Sequence, residues 1–287
     1  MSRIIDYPET TAVDDNEELL LDGEDGNKKV KYSNLLKPVV YAINVLSDKF
    51  TAKTRRTRRN ITNDLTNLRK AIAEQNLEKY GYSIGDYFIG PTANYVYHLA
   101  DLNTYYGGYD SYAVVSVPHI AIVVDTKTNS QWYTSNSTST GYNGSTLHTF
   151  LKGTALNNIK ADMKALFGGS TGLEYLISHQ KLLTTATSNW AWQTGQYISA
   201  LTEVDMFGSR IWAIDGYQFG ESCKQLALFL KYRFNEIFGN VSIWLRSIQS
   251  SSGSCQAHYD GYASYASASN SILAVGLILL KGEDENE

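Results

Sequence analysis

The chain has 287 residues, 43% hydrophobic and 19% charged, with a formal net charge of −4 and a pI near 5.8. These values fit a globular protein of one large or two ordinary domains and speak against a chain that coats nucleic acid in bulk. Its two cysteines, Cys223 and Cys255, are too few for a disulfide scaffold, and whether they pair is left open.

Met1-Ser2-Arg3 leads into an acidic, Pro-containing stretch, so no signal peptide is expected at the start. The longest apolar run, near the C-terminus, is too short to cross a bilayer, and no membrane insertion is expected. Residues 1–36 carry Asp14, Asp15, Glu17, Glu18, Asp22, Glu24 and Asp25 around Leu19-Leu20-Leu21. Asp22-Gly23 and Asp25-Gly26 are turn signals before the alternating Lys28-Lys29-Val30-Lys31-Tyr32. This predicts two short strands joined by a turn, within an otherwise extended arm.

Residues 37–82 read as an α-helical, coiled-coil stalk. Leu35, Val39, Ala42 and Leu46 fall at heptad spacing, as do Ile61, Leu65, Leu68 and Ile72. Joined through residues 47–60, the two runs would make a rod of about 60 Å; a two-helix hairpin broken near Thr51 is the competing geometry. Ile and Leu at both seam positions lean towards three strands. The basic block Lys49, Lys53, Arg55, Arg56, Arg58 and Arg59 reads as a solvated helix face, or as a partner for the acidic arm, more readily than as a nucleic-acid grip, because only Phe50 interleaves it.

A second domain is expected over 83–282, ahead of an acidic tail at 283–287. Tyr82 to Ile89 alternates and stops at Gly90-Pro91. Ala113 to Asp125 predicts one or two buried strands around Pro118-His119, and His119 reads as a satisfied core histidine because no second ligand lies at metal spacing. Thr126 to Ser145, rich in Thr, Ser, Asn and Gly around Trp132, Tyr133 and Tyr142, reads as a long surface loop. Thr146 to Leu151 and Ala155 to Phe167 are helical, the latter with Leu156, Ile159, Met163 and Leu166 on one face before Gly168-Gly169. Thr184 to Ile198 reads as strand and loop. Ser222 to Phe234 predicts a helix with Leu226, Phe229 and Leu230 buried. Ile243-Trp244-Leu245 and Ile272 to Leu280 are apolar enough for core strands.

Between those two strands lies a run made almost wholly of Ser, Ala, Tyr, Gly, Asn and Asp. Tyr contributes rigid contact area with a hydroxyl, and Ser, Gly and Ala leave room around it, as in antibody loops. His258, Tyr259, Asp260, Tyr262, Tyr265 and Asn270 are the expected ligand-binding residues. The same residue set is what adenine-directed mutagenesis of Asn-type codons yields. No phosphate loop, Gly-x-Ser-x-Gly or Cys/His metal cluster is present in the sequence, and no catalytic residue, metal or cofactor is assigned. The carboxylate pairs Glu203/Asp205 and Asp86/Asp101 are the weak exceptions, of the kind a glycosidase uses.

Two resemblances accompany these readings. Ile5-Asp6-Tyr7-Pro8, then Glu18 to Gly23, Lys28-Lys29-Val30 and Tyr32 to Leu36 resemble the N-terminal segment of bacteriophage fibre and structural proteins, which implies attachment to a virion. Ile84-Gly85-Asp86-Tyr87-Phe88, Leu201 to Gly208, Trp244-Leu245-Arg246-Ser247 and Ala274-Val275-Gly276-Leu277 together look like a domain family of phage tail and surface proteins, similar to the C-type-lectin-like fold of phage tropism determinants and formylglycine-generating enzymes. Leu277 and Ile278 stand where that family usually has Arg and Pro. The resemblance implies an α+β, C-type-lectin-like head in which Trp244, Arg246 and Glu203 staple the core, Arg246 being a buried cation whose candidate partners are Glu203 and Asp205. The readings together predict a virion protein made in the host cytoplasm, homotrimeric through its stalk, that binds a host surface protein or glycan and is not an enzyme. A purely structural decoration or baseplate component and a polysaccharide-degrading enzyme are the alternatives.

Overall fold

A computed structural model describes residues 18–21, 28–31, 57–105, 115–186, 189–214 and 224–284. The chain divides into two units, residues 1–54 and 55–287. In the first, β1 (Glu18–Leu21) pairs antiparallel with β2 (Lys28–Lys31), Leu19 opposite Val30, where the sequence alternation places two strands. The heptad run Leu35 to Leu46 and the cations Lys49, Lys53, Arg55 and Arg56 lie outside the described residues, as does Cys223.

The second unit is α+β and is built on one mixed sheet. Its strands, in chain order, are β3 (Tyr87–Ile89), β4 (Val96–Leu102), β5 (His119–Gln131), then, beyond the separate hairpin of β6 (His179–Thr184) and β7 (Trp190–Gln196), β8 (Ile198–Ser199), β9 (Ile243–Ile248), β10 (Gly253–Ala257), β11 (Ala263–Ser267) and β12 (Ser271–Lys281). Across the sheet they run β11-β10-β9-β12-β5-β4-β3, with β8 also paired to β12. The most continuous apolar segment, Leu273 to Leu280, is therefore central and wholly buried, as expected for a strand covered on both faces. Gly276 lets Ile198 of β8 pack closely, since a Cβ would stand 2.5 Å from Ile198 Cδ1 and would make that side chain shift. The β5/β12 ladder breaks once: Thr126–Thr128 bulge opposite Ala274, Lys127 takes φ +53°, and the Thr126 hydroxyl donates to the Ala274 carbonyl at 2.7 Å.

Helices cover this frame. The chain supplies α1 (Leu68–Ala73), α2 (Thr146–Phe150), α3 (Leu156–Phe167), α4 (Glu203–Phe207), α5 (Ala227–Lys231) and α6 (Phe234–Phe238). The helices α2 and α3 are one rod joined by a π-turn at Leu151–Ala155, and Ser145 caps it by accepting from His148 N at 3.0 Å. In α3 Ile159 and Met163 face the core.

Several expectations are corrected. The second heptad run is no stalk seam. Ile61, Leu65, Leu68 and Ile72 are buried in the core of this unit, and α1 packs on β5 and β12. A three-and-four spacing marks an apolar face whether its cover is another copy or the same chain, and here the sheet is the cover. Arg58 and Arg59 are not a solvated face either. Arg58 donates to the Gly85 and Glu236 carbonyls and to His98 Nδ1, while Arg59 donates to the Gly81 carbonyl and lies 3.3 Å from Asp64. Trp132 and Tyr142, read as loop residues, are fully buried; Trp132 Nε1 donates to Leu245 O, and the Tyr142 hydroxyl accepts from Ala200 N. Leu230, expected inside, is exposed, because the predicted helix is two short ones, α5 and α6, split by extended backbone at Tyr232 and Arg233. His119 is the satisfied core histidine expected: Nε2 accepts from Tyr105 N and Nδ1 faces Val117 O, with burial pulling its pKa down to about 4.

Candidate functional site

Trp244 and Arg246 lie on β9, whose six residues are all buried, and Trp244 Nε1 donates to Ser130 O at 2.8 Å. On β10 every residue is buried as well, including Cys255. Next outward is β11, which forms the sheet edge and is only half covered. Burial thus drops only at β11, and the outer strand of the hairpin β10–β11 carries part-exposed side chains on a buried base.

At the hairpin tip His258 N donates to Tyr262 O and Gly261 N to His258 O, closing a tight turn. Gly261 sits at φ +87°, and a Cβ there would stand 2.9 Å from Phe234 Cβ, so only glycine allows the tip to rest on α6. The His258 ring lies between Tyr259 at 3.9 Å and Tyr262 at 4.5 Å, with Asp260 Oδ2 3.4 Å from its Nδ1. Tyr259, Tyr262 and Tyr265 are 44%, 53% and 48% exposed. The structure therefore brings His258, Tyr259, Asp260 and Tyr262 together and places Tyr265 farther along β11. Asn270 is exposed but lies beyond the other end of β11, about 15 Å from the tip at the rise of a strand.

A second group belongs to the same face and escaped the sequence reading. Ile211, Trp212 and Ile214 are 50%, 43% and 51% exposed. The Trp212 ring meets Tyr265 edge-on at 5.1 Å, and its Nε1 donates to Ala263 O of β11. What holds this loop is Glu203. Thr202 caps α4 in a reciprocal capping box with Asp205, which turns Glu203 into the interior, fully buried. Its carboxylate then accepts the successive amides of Ile211, Trp212 and Ala213 at 2.9–3.1 Å. A buried carboxylate satisfied by three N–H groups is well compensated, so the exposed apolar side chains of the loop are fixed in place. The only sequence signal was the apolar run Ile211 to Ile214 after a Gly stop.

Trp244, Arg246 and Glu203 are all buried, and the Glu203 carboxylate is engaged by the loop amides. The other carboxylates weighed for hydrolysis also have structural work. Asp86 accepts the amides of Arg59 and Ser83, and Asp101 lies 3.6 Å from Lys224 Nζ and accepts Ala227 N. Among the described residues no group of three or more His, Cys, Asp or Glu is placed to hold a metal ion, and no helix is long and apolar enough to cross a membrane. The chain matches no protein-family model, no curated protein and no solved structure.

Proposed function

We propose that this chain is a bacteriophage virion protein whose second unit binds a host-surface molecule through the face made by hairpin β10–β11 and the Ile211–Ile214 loop. The observation that carries the reading is the group of exposed aromatic rings, Trp212, Tyr265, Tyr262 and Tyr259, on the edge strand, turn and loop that flank the buried strands β9 and β10. Large apolar rings left in water have no folding rationale, whereas Trp and Tyr anchors on a rigid base are what interface energetics favour. Tethering to the particle by the N-terminal arm, three copies joined by the segment ahead of residue 55, and a C-type-lectin-like head complete the proposal; the arm and head rest on the sequence resemblances and the trimer on the heptad spacing of Leu35 to Leu46. Several weak heads on one particle would gain by avidity.

Retention of the purified full-length protein on host cells tests the reading. Changing Tyr259, Tyr262 and Tyr265 to Ala should abolish retention while circular dichroism and the melting curve stay unchanged. Undiminished retention by that variant would overturn the proposal in favour of a decoration role, and depolymerisation of host polysaccharide by the intact protein would replace it with an enzyme.

A further inference from the structure

The hairpin tip does not stand alone. Asp260 and Gly261 form one wall of a groove of about 520 Å³, facing Phe207 at the end of α4 and residues of α5 and α6. Ligand sites typically span about 300–1,000 Å³, so the space suits one or two sugar rings. Its floor is apolar, with Phe207, Phe229 and Phe234. Two cations line it, Lys231 and Arg233.

Their placement follows from the break between α5 and α6. Tyr232 and Arg233 are extended, at φ −127°, ψ 146° and φ −71°, ψ 149°. Lys231, the last residue of α5, and the exposed Arg233 both line the groove, beside the buried Tyr232. The Glu236 carboxylate accepts the Arg233 amide at 3.0 Å, and among the described residues no side-chain ion pair joins Lys231 or Arg233 to a carboxylate. Two cations over one aromatic floor offer a carboxylate charge-assisted contacts from both.

We infer that this groove is the ligand's main subsite and that it takes an acidic saccharide, its carboxylate between Lys231 and Arg233. The inference rests on the hairpin reading above and names its ligand class. The ring C–H groups meet the aromatic surfaces of the floor and of the adjoining tip, where Tyr259 and Tyr262 flank Asp260 and Gly261. Sugar hydroxyls find Gln225, Asn235 and the Asp260 carboxylate around the groove. An acidic peptide would satisfy the cations but would leave the aromatic surfaces without flat C–H faces to cover.

The test uses the full-length protein and matched probes: trigalacturonate and sialyllactose, their neutral counterparts (the methyl-esterified trisaccharide and lactose), and a glutamate-rich peptide. At least one acidic saccharide should bind and its neutral counterpart should not. Lys231→Gln and Arg233→Gln should each weaken binding about tenfold, the loss of one charge-assisted contact; Lys231→Gln should leave the melting temperature unmoved, and Arg233, which caps α6, is compared at a temperature where its variant is fully folded. Equal binding of acidic and neutral probes, equal or better binding of the peptide, no binding of either acidic saccharide, or indifference to both substitutions would each overturn the inference. The host-cell assay separates the two levels. If the tyrosine variant loses retention while the Lys231→Gln/Arg233→Gln variant keeps it in full, only the groove assignment falls. If the tyrosine variant also keeps retention, the hairpin reading falls with it.

Discussion

At the β3 edge of the sheet the chain lays its own backbone along the strand: Tyr87 N donates to Arg59 O, Ile61 N donates to Tyr87 O, and Arg58 reaches across to Gly85, Glu236 and His98. At the β11 edge the cover is one indole, Trp212, donating to Ala263 O, with tyrosines standing in solvent beside it. Unpaired strand edges invite association, and proteins ordinarily blunt them. Here one edge is sealed by chain that would otherwise be linker, and the other is left showing rings. The cations of the closed edge are fixed by carbonyls and a histidine, whereas Lys231 and Arg233 beside the open edge line the groove. The closed edge is shaped for stability and the open one for contact, a contrast that substitutions can test.

The largest effect is expected on the closed side. Asp162, fully buried in α3, accepts Thr92 N and the Tyr97 hydroxyl, both at 2.7 Å, and the Tyr97 hydroxyl is held protonated by burial and by that carboxylate. Asp162→Ala strands two donors and should cost about 4 kcal/mol, read as a lower urea midpoint at unchanged slope; binding by the fraction that remains folded should be normal. A loss of under about 1 kcal/mol would remove the closed side's claim to stability.

Next comes a pH effect in the core between the two edges. His148 is buried 4.8 Å from Tyr142, neither ring nitrogen has a hydrogen-bond partner among the described residues, and burial, with Lys152 and Arg246 nearby, pulls its pKa down to about 4. At neutral pH it is uncharged in both states. As pH falls through about 6.5 the unfolded chain takes up a proton that the native one refuses until about 4, so stability drops by about 3 kcal/mol across that window and then levels off. His119, also near 4, adds a similar loss. His98, buried and held well below the usual histidine range, contributes as well, so unfolding of His148→Phe across that range should show about two thirds of the histidine-linked slope and little change at pH 7. An unaltered slope would mean that His148 titrates normally in the fold.

Glu203→Gln sharpens the open-edge side. One amide cannot satisfy three N–H groups as a carboxylate does, and a cost of about 2 kcal/mol is expected, with altered Trp212 fluorescence and weaker cell retention. Retention at the original strength together with the altered fluorescence would show that the Ile211–Ile214 loop is not part of the contact face. The smallest effect on stability belongs to Tyr265→Ala, within about 0.5 kcal/mol, although retention should fall.

What the sequence disclosed and what it hid divide along a physical line. The strands β9 and β12 were legible because continuous apolar runs fix burial whatever the partner. The α3 face was legible from Leu156, Ile159, Met163 and Leu166, and the exposed tip from its tyrosines. Trp132 and Tyr142 were not, because their Thr, Ser and Gly neighbours imitate a loop while the contacts that bury them come from Leu245 and Ala200, far along the chain. The run from Ile61 to Ile72 misled for the opposite reason: its spacing is real, but spacing does not name the surface that covers it. Glu203 holds its loop through distances that exist only in the folded state.

The interruption of the β5/β12 ladder at Thr126–Thr128 has a kinetic corollary. Beyond it the pairing resumes from Asn129 and Leu273 towards the end that carries β9 and the hairpin. A gap in the backbone network is where cooperative opening can stop. Deuterium should therefore enter the β10–β11 amides by partial opening of that end alone, while the amides of Ile120 to Val124 wait for the molecule to unfold as a whole. The contact surface could then breathe, and tolerate exchange of its residues, without loosening the centre of the sheet.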